Sequence, residues 1–196
     1  MKNNLKTAAL LICIELSSFL SIQAQDFEKD QLHVSLGYGV GLYRSIFRDV
    51  EYAEENPKTN TTGPISAKVE YGVGDAIGFG AEINYISSVF SYDMVDMYTY
   101  EPIRAEETYE AFSIMLTFNR HFGQSDHFDP YTSLGTGFKT GTLEDKSPYE
   151  TTSTKVFPLA FKATFGFRWH FTDNFGIYVE AGLAESVMQF GLTQRF

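Results

Sequence analysis

The chain has 196 residues, with 25 acidic against 15 basic side chains and a formal charge of −10. That balance disfavours nucleic acid and anionic lipid head groups as direct partners. Its 18 Phe, 12 Tyr and 16 Gly, with no long apolar run in the body of the chain, suit one domain made mostly of strands.

At the N-terminus, Lys2 and Lys6 precede the apolar run TAALLICIEL and then SSFLSIQAQ. A basic n-region, an apolar core and small residues near the end predict a secretory signal peptide. Cleavage is expected after Ala24, giving a signal peptide over 1–24 and a mature domain over 25–196. An anchoring helix is the weaker reading, because Glu15 interrupts the run and too few apolar residues remain to span a bilayer. Cys13 lies inside this segment, and Ile12 before it is not the small residue a lipoprotein requires. The exported chain is therefore expected to use neither disulfides nor thiolate metal sites. It would carry 13 basic and 24 acidic residues, a charge of −11.

Strict alternation then recurs eight times. LHVSLGYGVGLY sets Leu32, Val34, Leu36, Tyr38, Val40 and Leu42 against His33, Ser35, Gly37, Gly39, Gly41 and Tyr43. ISAKVEYGV, over 65–73, opposes Val69 and Tyr71 to Lys68 and Glu70. Gly74-Asp75 makes a tight turn into IGFGAEINYI, where Ile77, Phe79, Ala81, Ile83 and Tyr85 oppose Gly78, Gly80, Glu82 and Asn84. FSIMLTFNRHF, over 112–122, is less regular because Met115 falls on the polar face. PYTSLGTGF, over 130–138, is the weakest segment, and LAFKATFGFRWHF, over 159–171, the clearest. FGIYVEAGLA and VMQFGLTQRF complete the eight. Each reads as a strand with one apolar and one polar face.

The connections alternate too. Those at Gly74-Asp75, GQSDHFD and TDN are short, while 44–64, 91–108 and 139–156 are long and polar. Short turns at one end, long loops at the other and an even strand number predict an all-β, eight-stranded antiparallel up-and-down transmembrane β-barrel. Eight strands leave an interior only just wide enough for side chains. The stripe Leu159 to Phe171 alone holds four Phe and a Trp, so the apolar faces cannot all fit inside and must meet lipid. The expected location is the outer membrane.

These Gly-aromatic strands, with GIYVEAGL and VMQFGLTQRF above all, resemble the small eight-stranded outer-membrane proteins of the OmpX and OmpA-transmembrane-domain type. The resemblance covers about residues 30–196 and implies a C-terminal strand read by the barrel-insertion machinery. Met188, Phe190, Leu192 and Phe196 match that assembly signal, whereas Gln194 departs from it. No peptidoglycan-binding domain is expected after the barrel.

The inward face gathers Lys68, Glu70, Glu82, Lys162, Arg168, Glu180 and Arg195. An ion-selective channel is one reading. A hydrogen-bonded charge network that plugs the lumen is the favoured one, since charges out of water need partners. Enzymes on this fold, implied by the resemblance, include lipid A deacylases and palmitoyltransferases. A catalytic base for outer-leaflet lipid belongs near the outer surface. The topology instead puts His33, His121, His127 and His170 toward the periplasm, so the His33–Ser35 pair is at the wrong end. A metal site from these histidines is disfavoured because they sit on strands that are not neighbours. Neither a cofactor nor a catalytic residue is expected.

Asp93, Asp96, Glu101, Glu106 and Glu107 crowd the second long loop with Arg104. They read as a solvated acidic loop, or as a cation- or protein-binding surface. The function expected is a non-enzymatic, monomeric outer-membrane barrel, with a role in envelope integrity, adhesion or partner binding. Its partners would be outer-membrane lipid and an extracellular protein reached through loops 44–64, 91–108 and 139–156. The alternative is a small porin-like or hydrophobic-solute transport barrel.

Overall fold

A strand with one apolar and one polar face needs two different surroundings, and a barrel in lipid supplies both. The computed structural model describes residues 27–41, 55–96, 98–122, 125, 127–146 and 149–196. The expected signal peptide, Leu42 and Tyr43 of the first alternating segment, residues 44–54 of the first long connection, and Asp126 lie outside the described residues.

Nine strand segments follow in order: β1 (Leu32–Gly41), β2 (Glu55–Gly74), β3 (Ile77–Val95), β4 (Pro102–His121), β5 (Phe128–Lys146), β6 (Thr151–Lys155), β7 (Leu159–His170), β8 (Phe175–Leu183) and β9 (Ser186–Arg195). Every pairing is antiparallel. Sequence neighbours pair from β1 to β5, β5 pairs both β6 and β7, and β7 to β9 continue the meander. β9 pairs back onto β1 through a register that runs from His33↔Arg195 to Gly41↔Ser186. Eight barrel positions result, because β6 and β7 share one side of β5 at different heights. Closure leaves no unpaired strand edge within the barrel, and an open edge in lipid would cost several kcal/mol for each unsatisfied backbone group.

The faces divide as the volume argument requires. Along β7, exposed and buried residues alternate without a break. Phe165 and Trp169 point outward and are 45% and 55% exposed, while Lys162, Thr164 and Arg168 are buried inside. Lumenal glycines make room for large rings. A Cβ on Gly166 would lie within 2.5 Å of the Tyr131 ring, and one on Gly37 would overlap the Tyr178 hydroxyl.

The strands are longer than the alternation predicts, and this corrects the loop assignments. Residues 91–108 were expected as a loop, yet β3 runs to Val95 and β4 restarts at Pro102. Likewise 139–156 is mostly the end of β5 and the whole of β6, and 55–64 belongs to β2. The cause lies in the outward face. On β3 and β4 it is apolar up to the pair Tyr85↔Phe112, and the next outward pair is Ser87↔Glu110. The nine residues Ile77 to Tyr85 rise about 30 Å along a tilted strand, which matches an apolar band ~25 Å tall. Beyond Tyr85 the backbone ladder continues, but the outward face meets water and need not be apolar, so the alternation fades.

What projects past the band is a sheet built from β2 to β6. Its concave side holds Ile86, Tyr109 and Ala111, packed with Leu143 and Val156. Among the described residues, β1 pairs with β2 only up to Tyr38↔Ile65, and β6 pairs only with β5. Among the described residues, the projecting sheet therefore has two unpaired edges. Apolar strand edges invite aggregation, and this one is blunted by Thr151, Thr152, Ser153, Thr154 and Lys155.

Replacing Phe165 by Arg near mid-membrane is expected to lower stability by about 2–4 kcal/mol. Phe157→Arg, at the edge of the band, should cost about 1 kcal/mol or less. Urea unfolding in lipid vesicles measures both, and equal effects at the two positions would contradict the outward, depth-dependent lipid contact.

Candidate functional site

The alternation that sends aromatics outward sends the polar series inward, and in a narrow barrel these side chains meet across the lumen. The middle tier is built on Lys162 of β7. Its Nζ donates to Glu82 Oε2 of β3 at 2.6 Å and to Glu180 Oε2 of β8 at 2.7 Å. Lys68 of β2 donates to the same Glu180 oxygen at 2.7 Å and lies 4.3 Å from the centre of the Tyr178 ring. The Tyr131 hydroxyl donates to the other Glu180 oxygen at 2.7 Å. Two ammonium groups thus face two carboxylates, and the tier is neutral.

A second tier lies nearer the short turns. Arg168 donates to Glu70, and its other amino group is 3.5 Å from Asp129 Oδ2. His121 is held between carboxylates, with Nε2 2.8 Å from Glu70 Oε1 and Nδ1 2.8 Å from Asp129 Oδ1. The Arg168 guanidinium also sits over the Tyr131 ring at 4.6 Å, so Tyr131 joins the two tiers. Toward the projecting sheet, Lys139 and Glu185 form a smaller pair at 3.0 Å. Hydroxyl and amide groups fill the remaining wall: Ser35 donates to Thr193 Oγ1 at 2.8 Å, and Gln189 donates to Ser66.

Six of the seven charged residues picked out on the inward face, Lys68, Glu70, Glu82, Lys162, Arg168 and Glu180, thus sit in these two tiers. Arg195 does not. Its guanidinium turns to the Asp173 carbonyl in the β7–β8 turn, at the rim. Face parity says which way a residue points but not how deep it lies, and Arg195 is at the end of its strand.

His121, Asp129, Tyr131 and Tyr178 were missing from that set, although each shares the parity of a lumenal neighbour. The polar series Ser113, Thr117 and Asn119 ends at His121, and Asp129 and Tyr131 precede Ser133. Non-neighbouring strands were expected to keep the histidines apart. The lumen instead brings them near one another, with the His33 and His170 rings 5.9 Å apart. Among the described residues, no three His, Cys, Asp or Glu side chains are disposed to hold a metal ion.

One group carried no signal in the alternation. Phe27 precedes β1, is fully buried, and stacks on His121 with ring centres 3.6 Å apart and 4° between planes. Backbone bonds hold it there: Asp30 N donates to Gly72 O at 2.8 Å, and Gly72 N donates to Gln31 O at 2.9 Å. The segment before β1 therefore closes the short-turn mouth with an aromatic ring.

The void left among His33, Lys68, Glu70, Glu82, Lys162, Arg168 and Glu180 is about 10 Å³. That is room for at most one water molecule. On the outside, Met188, Phe190, Leu192 and Phe196 are all exposed along β9. Phe196 exchanges backbone hydrogen bonds with Leu32 at 2.8 and 3.2 Å, so it takes part in closing the barrel.

At the far end, the β3–β4 turn is organised by Asp96. Its Oδ1 accepts from the Tyr98 and Thr99 N–H groups at 2.6 and 3.1 Å, which holds this exposed carboxyl below the usual carboxylate range. Arg104 bridges β4 to Asp93 of β3 at 2.7 Å.

Lys162→Met strands Glu82 in the lumen without its cation and should cost about 3–5 kcal/mol. Adding Glu82→Gln removes the stranded charge, so the double variant should be more stable than Lys162→Met alone. Strictly additive losses in a double-mutant cycle, read by unfolding in vesicles, would contradict direct pairing.

The sequence model of the outer membrane protein beta-barrel domain family matches residues 13–188. No curated protein matches the sequence. Among solved structures, the attachment invasion locus protein Ail of Yersinia pestis is similar at 16% identity, covering 86% of this chain and 99% of Ail, with a TM-score of 0.46. The N-terminal β-barrel domain of Pseudomonas aeruginosa OprF is similar at 13% identity, covering 86% of this chain and 98% of that domain, with a TM-score of 0.41. The family match spans most of the chain, which therefore belongs to the outer membrane protein β-barrel family.

Proposed function

We propose that this outer-membrane barrel is neither a channel nor an enzyme, and that it serves as a sealed membrane anchor for the sheet built from β2 to β6. In this reading the sheet stands outside the cell and contributes envelope contacts, adhesion or partner binding. The observation that carries the reading is the contrast between the two parts. Charged side chains pair across the lumen around a void of about 10 Å³, while strands beyond Tyr85 run on for about 30 Å past the apolar band.

A conducting barrel needs a continuous wet path, and Lys162, Glu82 and Glu180 cross the lumen at hydrogen-bonding distance. An enzyme acting on outer-leaflet lipid needs an acid–base group near the apolar band's outer edge. The lumenal histidines instead lie at the short-turn end, where Glu70, Asp129 and Phe27 engage His121. The orientation follows the usual asymmetry of such barrels, with short turns in the periplasm and long hairpins outside.

Planar-bilayer recording tests the sealed lumen: the purified protein should give no steady conductance, and stable channels of uniform size would overturn the reading. Orientation is tested separately in intact cells with a membrane-impermeant maleimide. Thr151→Cys should be labelled, whereas Asp173→Cys should react only after the outer membrane is breached. The reverse pattern would turn the sheet inward.

A further inference from the structure

The far tip of the projecting sheet carries aromatic rings that lipid does not explain. Tyr98 and Tyr100 are 85% and 82% exposed in the β3–β4 turn, and Tyr149 is 49% exposed before β6. Asp96, where that turn begins, is eleven residues beyond Tyr85 at the band's edge, about 35 Å along the strand. These rings are therefore outside the reach of an interfacial aromatic belt. They belong to two different hairpins that meet: the Tyr98 and Tyr149 rings are 6.4 Å apart at 66°. Tyr100 holds φ at 57°, a left-handed conformation in which glycine or asparagine would be less costly. Large exposed aromatics are unfavourable in water unless something covers them, and tyrosine is enriched where proteins meet.

The surroundings select the chemistry of what covers them. Residues 93–107 and 144–155 hold eight acidic side chains against Arg104, Lys146 and Lys155, a net charge of −5. Two of those cations already face carboxylates. Arg104 pairs with Asp93 at 2.7 Å, and Lys146 lies 3.8 and 3.7 Å from Glu106 and Glu144. The electron-rich ring faces stand in a negative field, where a guanidinium or ammonium group is attracted by both and an anionic glycan is repelled by the field.

We propose that Tyr98, Tyr100 and Tyr149 form a docking surface for a cationic, arginine- or lysine-rich segment of an extracellular protein. This rests on the sheet lying outside the cell. The rings bind by stacking under the cationic heads, and the carboxylates raise the rate of encounter.

The test uses the mature protein in phosphatidylcholine nanodiscs and a fluorescent nona-arginine peptide at physiological salt, read by anisotropy. Tyrosine is uncharged, so replacing it leaves the field intact and isolates the rings. Combining Tyr98→Ser with Tyr100→Ser should weaken binding about tenfold or more, whereas Tyr98→Phe with Tyr100→Phe should stay within about threefold of the parent. The heat-dependent gel shift of the folded barrel checks that each variant is intact, and Tyr98→Ser alone replaces the pair if it is not. Equal binding by the serine and parent proteins, or no binding by the parent, would overturn the proposal. So would tyrosine-dependent capture of a heparin fragment in preference to the peptide. None of these results bears on conductance or on maleimide labelling, so a failure here is distinguishable from a failure of the sealed, outward-facing anchor.

Discussion

Lys162 is the residue on which the interior depends. An ammonium group removed from water loses several kcal/mol of hydration, and only closely placed carboxylates offset the loss. Glu82 supplies one from β3 across the lumen and Glu180 the other from the adjacent β8, at 2.6 and 2.7 Å. Because β3 is far in sequence from β7 and β8, the contact with Glu82 exists only when the barrel is closed in the register that pairs β9 with β1. A slip of one residue in a strand would turn its lumenal carboxylates toward lipid and its lipid-facing aromatics toward the lumen. The ionic tiers and the lipid-facing aromatics therefore specify the same register from opposite faces of the wall.

The same register sets how full the lumen is. Glycines on the inward face, at Gly37 and Gly166, make space that Tyr178 and Tyr131 occupy. Tyr131 then spans the tiers, with its hydroxyl on Glu180 and its ring under Arg168. Small residues and large rings alternate around the interior, and the void among the side chains of the tiers holds at most one water molecule. Rigidity in the membrane and extension beyond it are complementary: a closed cylinder can carry a projecting sheet without losing its own closure.

How much of this was legible depended on the solvent at each face. Lipid outside and a crowded lumen inside force strict alternation, so β7 and the first half of β3 could be read residue by residue. Above Tyr85 the outward face meets water and need not be apolar, and SVFSYDMV and IRAEETYE form strands without announcing them. Parity located the six charges of the tiers and, read further, would have located His121, Asp129 and Tyr131. It could not give depth, which is why Arg195 was grouped with residues that lie far inside. Nor could it register closeness across the lumen, where His33 and His170 come together from strands that are not neighbours. Phe27 lies outside any alternating segment, and its place depends on a mouth that only the closed barrel creates.

A lumen sealed around Lys162 keeps water from that ammonium, and solvent exchange there reads the seal without an intermediary. In bilayer nanodiscs near neutral pH, the Lys162 ammonium protons should exchange slowly enough to give resolved nitrogen-edited signals, in contact with the Glu82 and Glu180 side chains. Lys29, which is exposed, should give none because its protons exchange with bulk water. Exchange at Lys162 as fast as at Lys29 would mean that water reaches the middle of the barrel, and would contradict the account.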